Sequence, residues 1–123
     1  HPLRPTVAGG AAAAREWMQR RTSAVIAHND LMAMGFMIAV KSVGIEVPRD
    51  VSVVGTDNIF MSALFTPALT TVTTSRNTQG KLAFNQLLEQ LRHQHRDTGH
   101  LTTSIAMKLV ERDSTAQVPS LHR

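Results

Sequence analysis

The pattern that most constrains the fold is a short apolar run, a helix-length segment and a second apolar run, all within residues 22–58. The runs 22–28 and 51–55 are uniformly apolar rather than alternating, and residues 29–43 between them are long enough for several helical turns. Parallel strands need a long crossover, usually a helix, so this pattern predicts a strand–helix–strand unit. Uniformly apolar strands are typical of a parallel sheet that is covered on both faces.

Both apolar runs end in small polar triplets, His28-Asn29-Asp30 and Thr56-Asp57-Asn58. The carboxyl ends of parallel strands meet at one edge of the sheet, so we expect the two triplets to lie side by side. Open α/β sheets bind their ligands at that edge. The sequence therefore predicts the functional site there.

The predicted crossover helix is apolar on nearly all sides, since only Lys41 and Ser42 are polar between residues 31 and 43. Such a helix is buried on more than one side, and its methionines suit an adaptable contact surface. A core helix and a subunit interface both fit, and we favour the interface. Asn29 is a candidate N-cap, and Gly44 a candidate C-terminal stop.

The remaining elements are weaker predictions from periodicity and from proline or glycine positions. In chain order they are an extended start over 1–8, a helix over 11–21 opened by Gly9-Gly10, a short helix over 59–64, a β segment over 69–73, an amphipathic helix over 77–96 and a strand over 102–112.

Asn29 and Asp57 are the leading candidates for ligand contact. A carboxylate accepts hydrogen bonds from adjacent hydroxyls, and an amide both donates and accepts, so the pair suits a neutral polar ligand such as a sugar or a nucleobase. The alternative is that both residues are helix caps, and the residues alone leave the two readings even. His28, at the same edge, is a third candidate contact.

Composition and motifs favour binding over other chemistry. The net charge of +4 is spread singly along the chain, with Arg20-Arg21 the only adjacent basic pair, which indicates a solvated surface rather than a nucleic-acid stripe. Without cysteine, and with His93-x-His95 at a predicted helix end, we predict no metal site and no cofactor. There is no G-x-S-x-G elbow or other catalytic constellation, and no apolar run of membrane-spanning length, so we expect neither an enzyme nor a membrane protein.

Four blocks, AVIAHNDLMAMG, GIEVPRDVSVVGTDN, LFTPALTTV and LVERDST, resemble in order and spacing the effector-binding region of lactose-repressor (LacI/GalR) transcription regulators. The resemblance implies an α/β fold: an incomplete, parallel-sheet, three-layer Rossmann-like lobe of the two-lobed periplasmic-binding-protein-like fold. It implies that residues 1–123 are a C-terminal fragment of the effector-binding and dimerisation domain. Residues 9–74 and 102–115 would belong to the ligand lobe, and 75–101 to a helix packed on the other lobe.

The resemblance also implies a function. Family members are cytoplasmic homodimers in which a small molecule bound between the lobes changes DNA affinity, here through a helix-turn-helix domain that these residues do not include. Asn29 and Asp57 match ligand-contacting positions, whereas Thr56 and Asn58 depart from the aromatic residue and second acid that are common there. The residues matched to the dimer interface are Met34, Met37, Ile38, Met61, Leu64 and Phe65.

A solute-binding receptor of a sugar transport system shares the same fold and is the alternative function. The VPRDVSVVG and ERDST blocks favour the regulator. We therefore expect a sensing part of a repressor rather than a transport receptor.

Overall fold

A computed structural model of the chain, which describes residues 3–92 and 102–117, has an α/β fold. The elements are α1 (Val7–Trp17), β1 (Ala24–Ile26), α2 (Asp30–Ser42), β2 (Ser52–Thr56), α3 (Phe60–Leu64), β3 (Thr70–Thr73), α4 (Arg76–Arg92) and β4 (Lys108–Val110). The strands form one four-stranded sheet of order β1-β2-β3-β4. Strands β1 and β2 pair in parallel, as do β2 and β3, and α2 joins the first pair, so the predicted crossover unit is confirmed.

The chain divides into two compact units. The first joins the residues up to Thr73 with those from Leu109 onward and contains α1 to α3, while the second, Thr74–Lys108, contains α4. Helix α4 has no buried residue, and Phe84, Leu87 and Leu91 on it are each more than half exposed. The assignment of residues 75–101 to another lobe stays a prediction.

Helix α2 is the centre of the hydrophobic core. Its N-cap is Asn29, and it ends in a Schellman turn in which the Gly44 amide donates to the Lys41 carbonyl and the Ile45 amide to the Val40 carbonyl, both at 3.1 Å. Gly44 has φ +81°, a conformation that glycine adopts without strain. Both predicted helix boundaries are therefore confirmed. The buried apolar residues around α2 are Ala14, Ala33, Met34, Phe36, Met37, Val40, Ile45, Val51, Val53 and Leu69.

The residues of α2 that were matched to the dimer surface differ in burial. Met34 and Met37 are only 2% and 3% exposed, whereas Ile38 on the same helix is 52% exposed. Both methionines belong to the hydrophobic core of the chain, and Met37 also lines a cleft beside Ile38. Their part in a dimer interface stays a prediction. The core explanation of the over-apolar helix thus holds for most of α2.

Helix α1 crosses α2 at very short range through glycines. An added Cβ at Gly10 would collide with the Met32 carbonyl, and one at Gly35 with the Val7 carbonyl. Beside this crossing, Trp17 meets Phe36 edge-on with ring centroids 5.4 Å apart. The glycines were expected to open the helix, but α1 begins earlier, at Val7, because the Thr6 hydroxyl caps it by accepting a hydrogen bond from the Gly9 amide at 3.1 Å.

The two parallel strands of the crossover unit are less covered than their apolar sequences predict. In β2 buried Val53 and Gly55 alternate with half-buried residues, and in β1 Ile26 is 78% exposed. Within residues 3–92 and 102–117, one face of these strands packs on α2. Coverage of the opposite face stays a prediction.

The strand expected over 102–112 is shorter than predicted, since only Lys108–Val110 forms β4. Alternating side chains supply no hydrogen-bonding neighbour by themselves, and β3, the next strand in the sheet, is only four residues long. The helix expected over 77–96 is present as α4 up to Arg92, and its last predicted residues lie outside the described part of the chain.

The close crossing of α1 and α2 makes Gly10→Ala destabilising. The new methyl group would meet backbone rather than a flexible side chain, so the helices must separate, which costs about 1–3 kcal/mol. Gly80→Ala is the matched control, because Gly80 is in a helix with nothing within 4 Å of an added Cβ, and it should stabilise by about 0.5–1 kcal/mol. Urea unfolding followed by circular dichroism measures both, and equal stabilities of Gly10→Ala and the parent chain would contradict the close packing.

Candidate functional site

The carboxyl ends of β1 and β2 lie side by side, as predicted. The Ala27 amide donates to the Val54 carbonyl at 2.8 Å, and the Thr56 hydroxyl donates to the Ala27 carbonyl at 3.2 Å. These bonds extend the pairing beyond the last residues of the strands. The two polar triplets are therefore held at one edge of the sheet.

Asn29 acts as the cap of α2. Its Oδ1 accepts from the Met32 amide at 2.9 Å, and its Nδ2 donates to the Pro5 carbonyl at 3.1 Å. The capping alternative is therefore correct for Asn29. One N–H and one oxygen lone pair of the amide remain for a ligand, so ligand contact by this half-buried residue stays a prediction.

Asp57 is exposed and is not a helix cap. It has φ +107°, and the following Asn58 has φ +51°, so the chain turns sharply through two left-handed residues. Its amide donates to the Val72 carbonyl at 2.9 Å, while α3 begins after Ile59, without a side-chain cap. Among the described residues the Asp57 carboxyl has no hydrogen-bond or ion-pair partner, which leaves both oxygens open to a ligand.

His28, the third candidate, is exposed at the end of β1. It precedes the Asn29 cap directly, so it lies at the same edge of the sheet. Its contact with a ligand remains a prediction.

The sequence reasoning missed the role of Arg112. Its Nη2 donates to Asn58 Oδ1 at 2.7 Å, and its Nη1 donates to the Leu69 carbonyl, also at 2.7 Å. One half-buried guanidinium thus ties the residue after Asp57 to the chain entering β3. The ERDST block contains this arginine, but nothing in its local pattern indicates a partner 54 positions away.

Asp30 was treated only as a member of a polar triplet, yet it is fully buried, with 0% exposure. Its Oδ2 accepts from the Ile59 amide at 2.9 Å and from the Ser62 hydroxyl at 2.5 Å, and its Oδ1 accepts from the Thr71 hydroxyl at 2.6 Å. An added Cβ at Gly55 would collide with Oδ1. An acidic residue at the start of an otherwise apolar helix is the sequence signal that could have indicated this buried role.

The remaining residues of the predicted dimer surface are accessible. Met61 is 54% exposed and Leu64 66% exposed, while Phe65 is half-buried. A cleft of about 370 Å³ lies beside them at the C-terminal half of α2, the opposite end of that helix from Asn29. It is therefore distinct from the sheet edge that carries Asp57. The cleft is lined by Met37, Ile38, Lys41, Ile45, Glu46, Val47, Phe65, Thr66 and Pro67.

Residues 3–92 and 102–117 contain no group of three or more histidine, aspartate or glutamate side chains arranged to hold a metal ion. No helix in the same ranges has both the length and the apolar character that crossing a membrane requires.

Comparison with known proteins gives a consistent relationship. The family model for the periplasmic binding protein-like domain matches residues 1–115. The HTH-type transcriptional repressor PurR of Edwardsiella ictaluri is 40% identical over 101 residues, which are 82% of this chain and 29% of that protein. The chain thus spans less than a third of the length of this curated relative.

Solved structures of regulators from the same family superpose on this chain. A LacI family transcriptional regulator from Enterococcus faecium with bound ribose superposes with a TM-score of 0.84 at 26% identity, covering 95% of this chain and 43% of that one. A LacI family regulator from Arthrobacter sp. FB24 in complex with lactose superposes with a TM-score of 0.79 at 30% identity, covering 90% of this chain and 42% of that one.

The contacts of Arg112 predict a measurable stability loss in Arg112→Ala. The substitution removes two charge-assisted hydrogen bonds and leaves the half-buried Asn58 side chain without its donor, which should cost about 2 kcal/mol. Arg15→Ala is the control, because Arg15 is an exposed residue of α1. Thermal unfolding compares the two variants, and an unchanged midpoint for Arg112→Ala would show that the bonds of Arg112 to Asn58 and Leu69 do not stabilise the fold.

Proposed function

This chain belongs to the periplasmic binding protein-like domain family, in the form found in LacI/GalR transcription regulators, and we propose that it is an effector-sensing and dimerising part of a cytoplasmic repressor. In this proposal a small molecule binds at the carboxyl edge of the sheet, between two lobes, and changes the DNA affinity of a helix-turn-helix domain elsewhere in the regulator. The relatives are regulators rather than enzymes, and the sensing role needs binding without catalysis.

The observation that carries the proposal is the Asp57 carboxyl, exposed at the sheet edge and unpaired among the described residues. A carboxylate with both oxygens open suits a molecule with adjacent hydroxyl or N–H donors, which describes a sugar or a nucleobase. Asn29 adds one donor and one acceptor on the neighbouring strand tip. Two structural neighbours have ribose and lactose bound, which supports a sugar first.

The dimerisation part of the proposal depends on exposed apolar side chains of α2 and α3. Ile38, Met61 and Leu64 are each more than half exposed. Ile38 lines the cleft together with Phe65, which directly follows Leu64 in the chain. Exposed apolar side chains grouped on a surface are typical of protein contacts. A second copy of the chain is the proposed partner, with Met34 and Met37 left in the core of each copy.

The transport-receptor alternative has less support. The relative from Edwardsiella ictaluri, at 40% identity, is a transcriptional repressor, and the superposed structures with sugars are LacI family regulators. No contact in the described part of the chain favours the receptor over the regulator.

Asp57→Ala should abolish most of the effector affinity. Losing hydrogen bonds to a charged acceptor costs about 1.5–3 kcal/mol, so the Kd should rise by about tenfold to a hundredfold. Calorimetry with ribose, lactose and adenine, on the natural protein that contains these residues, measures this. Asp113→Ala, at another exposed aspartate, is the matched control and should bind as the parent does. Equal affinities for Asp57→Ala and the parent would exclude Asp57 from the site.

A charge on α3 should weaken self-association. Leu64→Glu places a carboxylate at the centre of the proposed contact, and burying an unpaired charge twice in a symmetric dimer is costly, so we expect a dimer dissociation constant at least about tenfold higher. Gln19→Glu, at an exposed position beyond α1, is the control. Sedimentation velocity over a concentration series measures both, and an unchanged dimer in Leu64→Glu would place the interface elsewhere.

A further inference from the structure

The buried Asp30 carboxyl is bonded to the chain on both sides of the proposed ligand site. It follows Asn29 directly in sequence, so it is covalently fixed to the first ligand candidate. It also accepts a hydrogen bond from the Ile59 amide at 2.9 Å, two residues beyond the second candidate, Asp57. One side chain therefore links the two strand tips from beneath the site.

The same carboxyl also reaches the surface proposed for dimerisation. The Ser62 hydroxyl that donates to Oδ2 belongs to α3, the helix that carries Met61 and Leu64. Asp30 itself is the first residue of α2, which carries Ile38. A change in the position of α3 relative to α2 must therefore stretch or break contacts to this one carboxyl.

The contacts are buried and made to neutral donors. Asp30, Ser62 and Thr71 are at most 1% exposed, and the three donors to Asp30 are one amide and two hydroxyls. Hydrogen bonds to a carboxylate are strong and directional, and an unmet donor in such a place is costly. The arrangement is therefore stiff, with one favoured geometry.

We propose that Asp30 is a positioning residue that sets the spacing between Asn29 and Asp57 and joins that pair mechanically to α3. The role of Asp30 in ligand binding rests on the proposed function, whereas its role in holding residues 57–62 does not. Asp30 itself touches no ligand, since it is buried under the tips. Effector binding at the strand ends and partner contact on α3 thus act on the same buried group.

Two substitutions of Asp30 differ in whether they keep the hydrogen bonds of its side chain. In Asp30→Asn the amide oxygen can replace Oδ2 for Ile59 and Ser62, and the amide N–H group can donate to the Thr71 hydroxyl, which rotates to accept. Asp30→Ala removes every acceptor. Asp30→Asn should thus hold residues 57–62 in place, and Asp30→Ala should release them.

The first test needs no ligand. Amide hydrogen exchange, read residue by residue by NMR, compares residues 57–62 with the core amide of Val53, which donates to the Ser114 carbonyl at 2.8 Å. In Asp30→Ala we expect exchange over 57–62 to accelerate at least about tenfold more than at Val53, by local opening. In Asp30→Asn we expect a change of less than about threefold.

A matched pair of serines keeps the test decisive if Asp30→Ala fails to fold. Ser62 and Ser114 are both fully buried, and the Ser114 hydroxyl donates to the Val53 carbonyl at 2.6 Å, away from the carboxyl edge. Both alanine variants lose one buried hydroxyl. Of the two serines, only Ser62 donates to Asp30. We therefore expect Ser62→Ala, and not Ser114→Ala, to accelerate exchange selectively over 57–62 and to raise the ribose Kd by at least about threefold.

The outcomes distinguish the two proposals. Selective exchange over 57–62, with weaker ribose or lactose binding in Asp30→Ala and recovery in Asp30→Asn, supports positioning by Asp30. If hydrogen exchange accelerates equally at Val53 and over 57–62, or if a folded Asp30→Ala binds with an unchanged Kd, Asp30 has only a general structural role and the positioning proposal is wrong. If the parent protein binds none of the sugars or bases, the proposed function fails, and the exchange pattern alone still decides whether Asp30 holds the loop.

Discussion

The fold depends on one buried carboxyl group, that of Asp30, at the start of the helix around which the core is packed. Burying such a group is costly unless every oxygen is hydrogen-bonded, and here the three donors come from the loop after β2, from α3 and from β3. The group therefore fixes how α2, β2, α3 and β3 meet. Gly55 is part of the same constraint, because any larger residue there would occupy the space of the carboxyl oxygen.

This arrangement explains why the neighbouring polar residues have different roles. Asn29 is used by the fold, since it satisfies the amide of Met32 in the first turn of α2 and donates to the Pro5 carbonyl. Ile59 and Asn58 are fixed by Asp30 and Arg112. Asp57 directly precedes these two residues and is exposed. A polar residue that the fold does not need, on a backbone that the fold holds rigidly, is what ligand recognition requires.

The sequence was sufficient for the parts governed by local chemistry. The crossover helix, its Asn29 cap, its Gly44 ending and the parallel neighbours all follow from residues within a few positions of one another. The start of α1 was not predictable, because the prolines near the start suggested extended chain up to residue 8, whereas capping by Thr6 begins the helix at Val7. The roles of Asp30 and Arg112 depend on partners 29 to 54 positions away, which periodicity does not reveal.

The burial of Met34 and Met37 shows what apolar periodicity leaves undecided. A helix that is apolar all round must be covered on several sides, but the pattern does not say whether the cover comes from the same chain or from another. Here the same chain buries the two methionines in its core, and Gly10 and Gly35 bring α1 close against another part of α2. Ile38 lies outside that contact and stays half exposed. The surface proposed for a partner therefore keeps only the exposed side chains of α3 and of Ile38 on α2, and α3 is the helix whose Ser62 hydroxyl donates to Asp30.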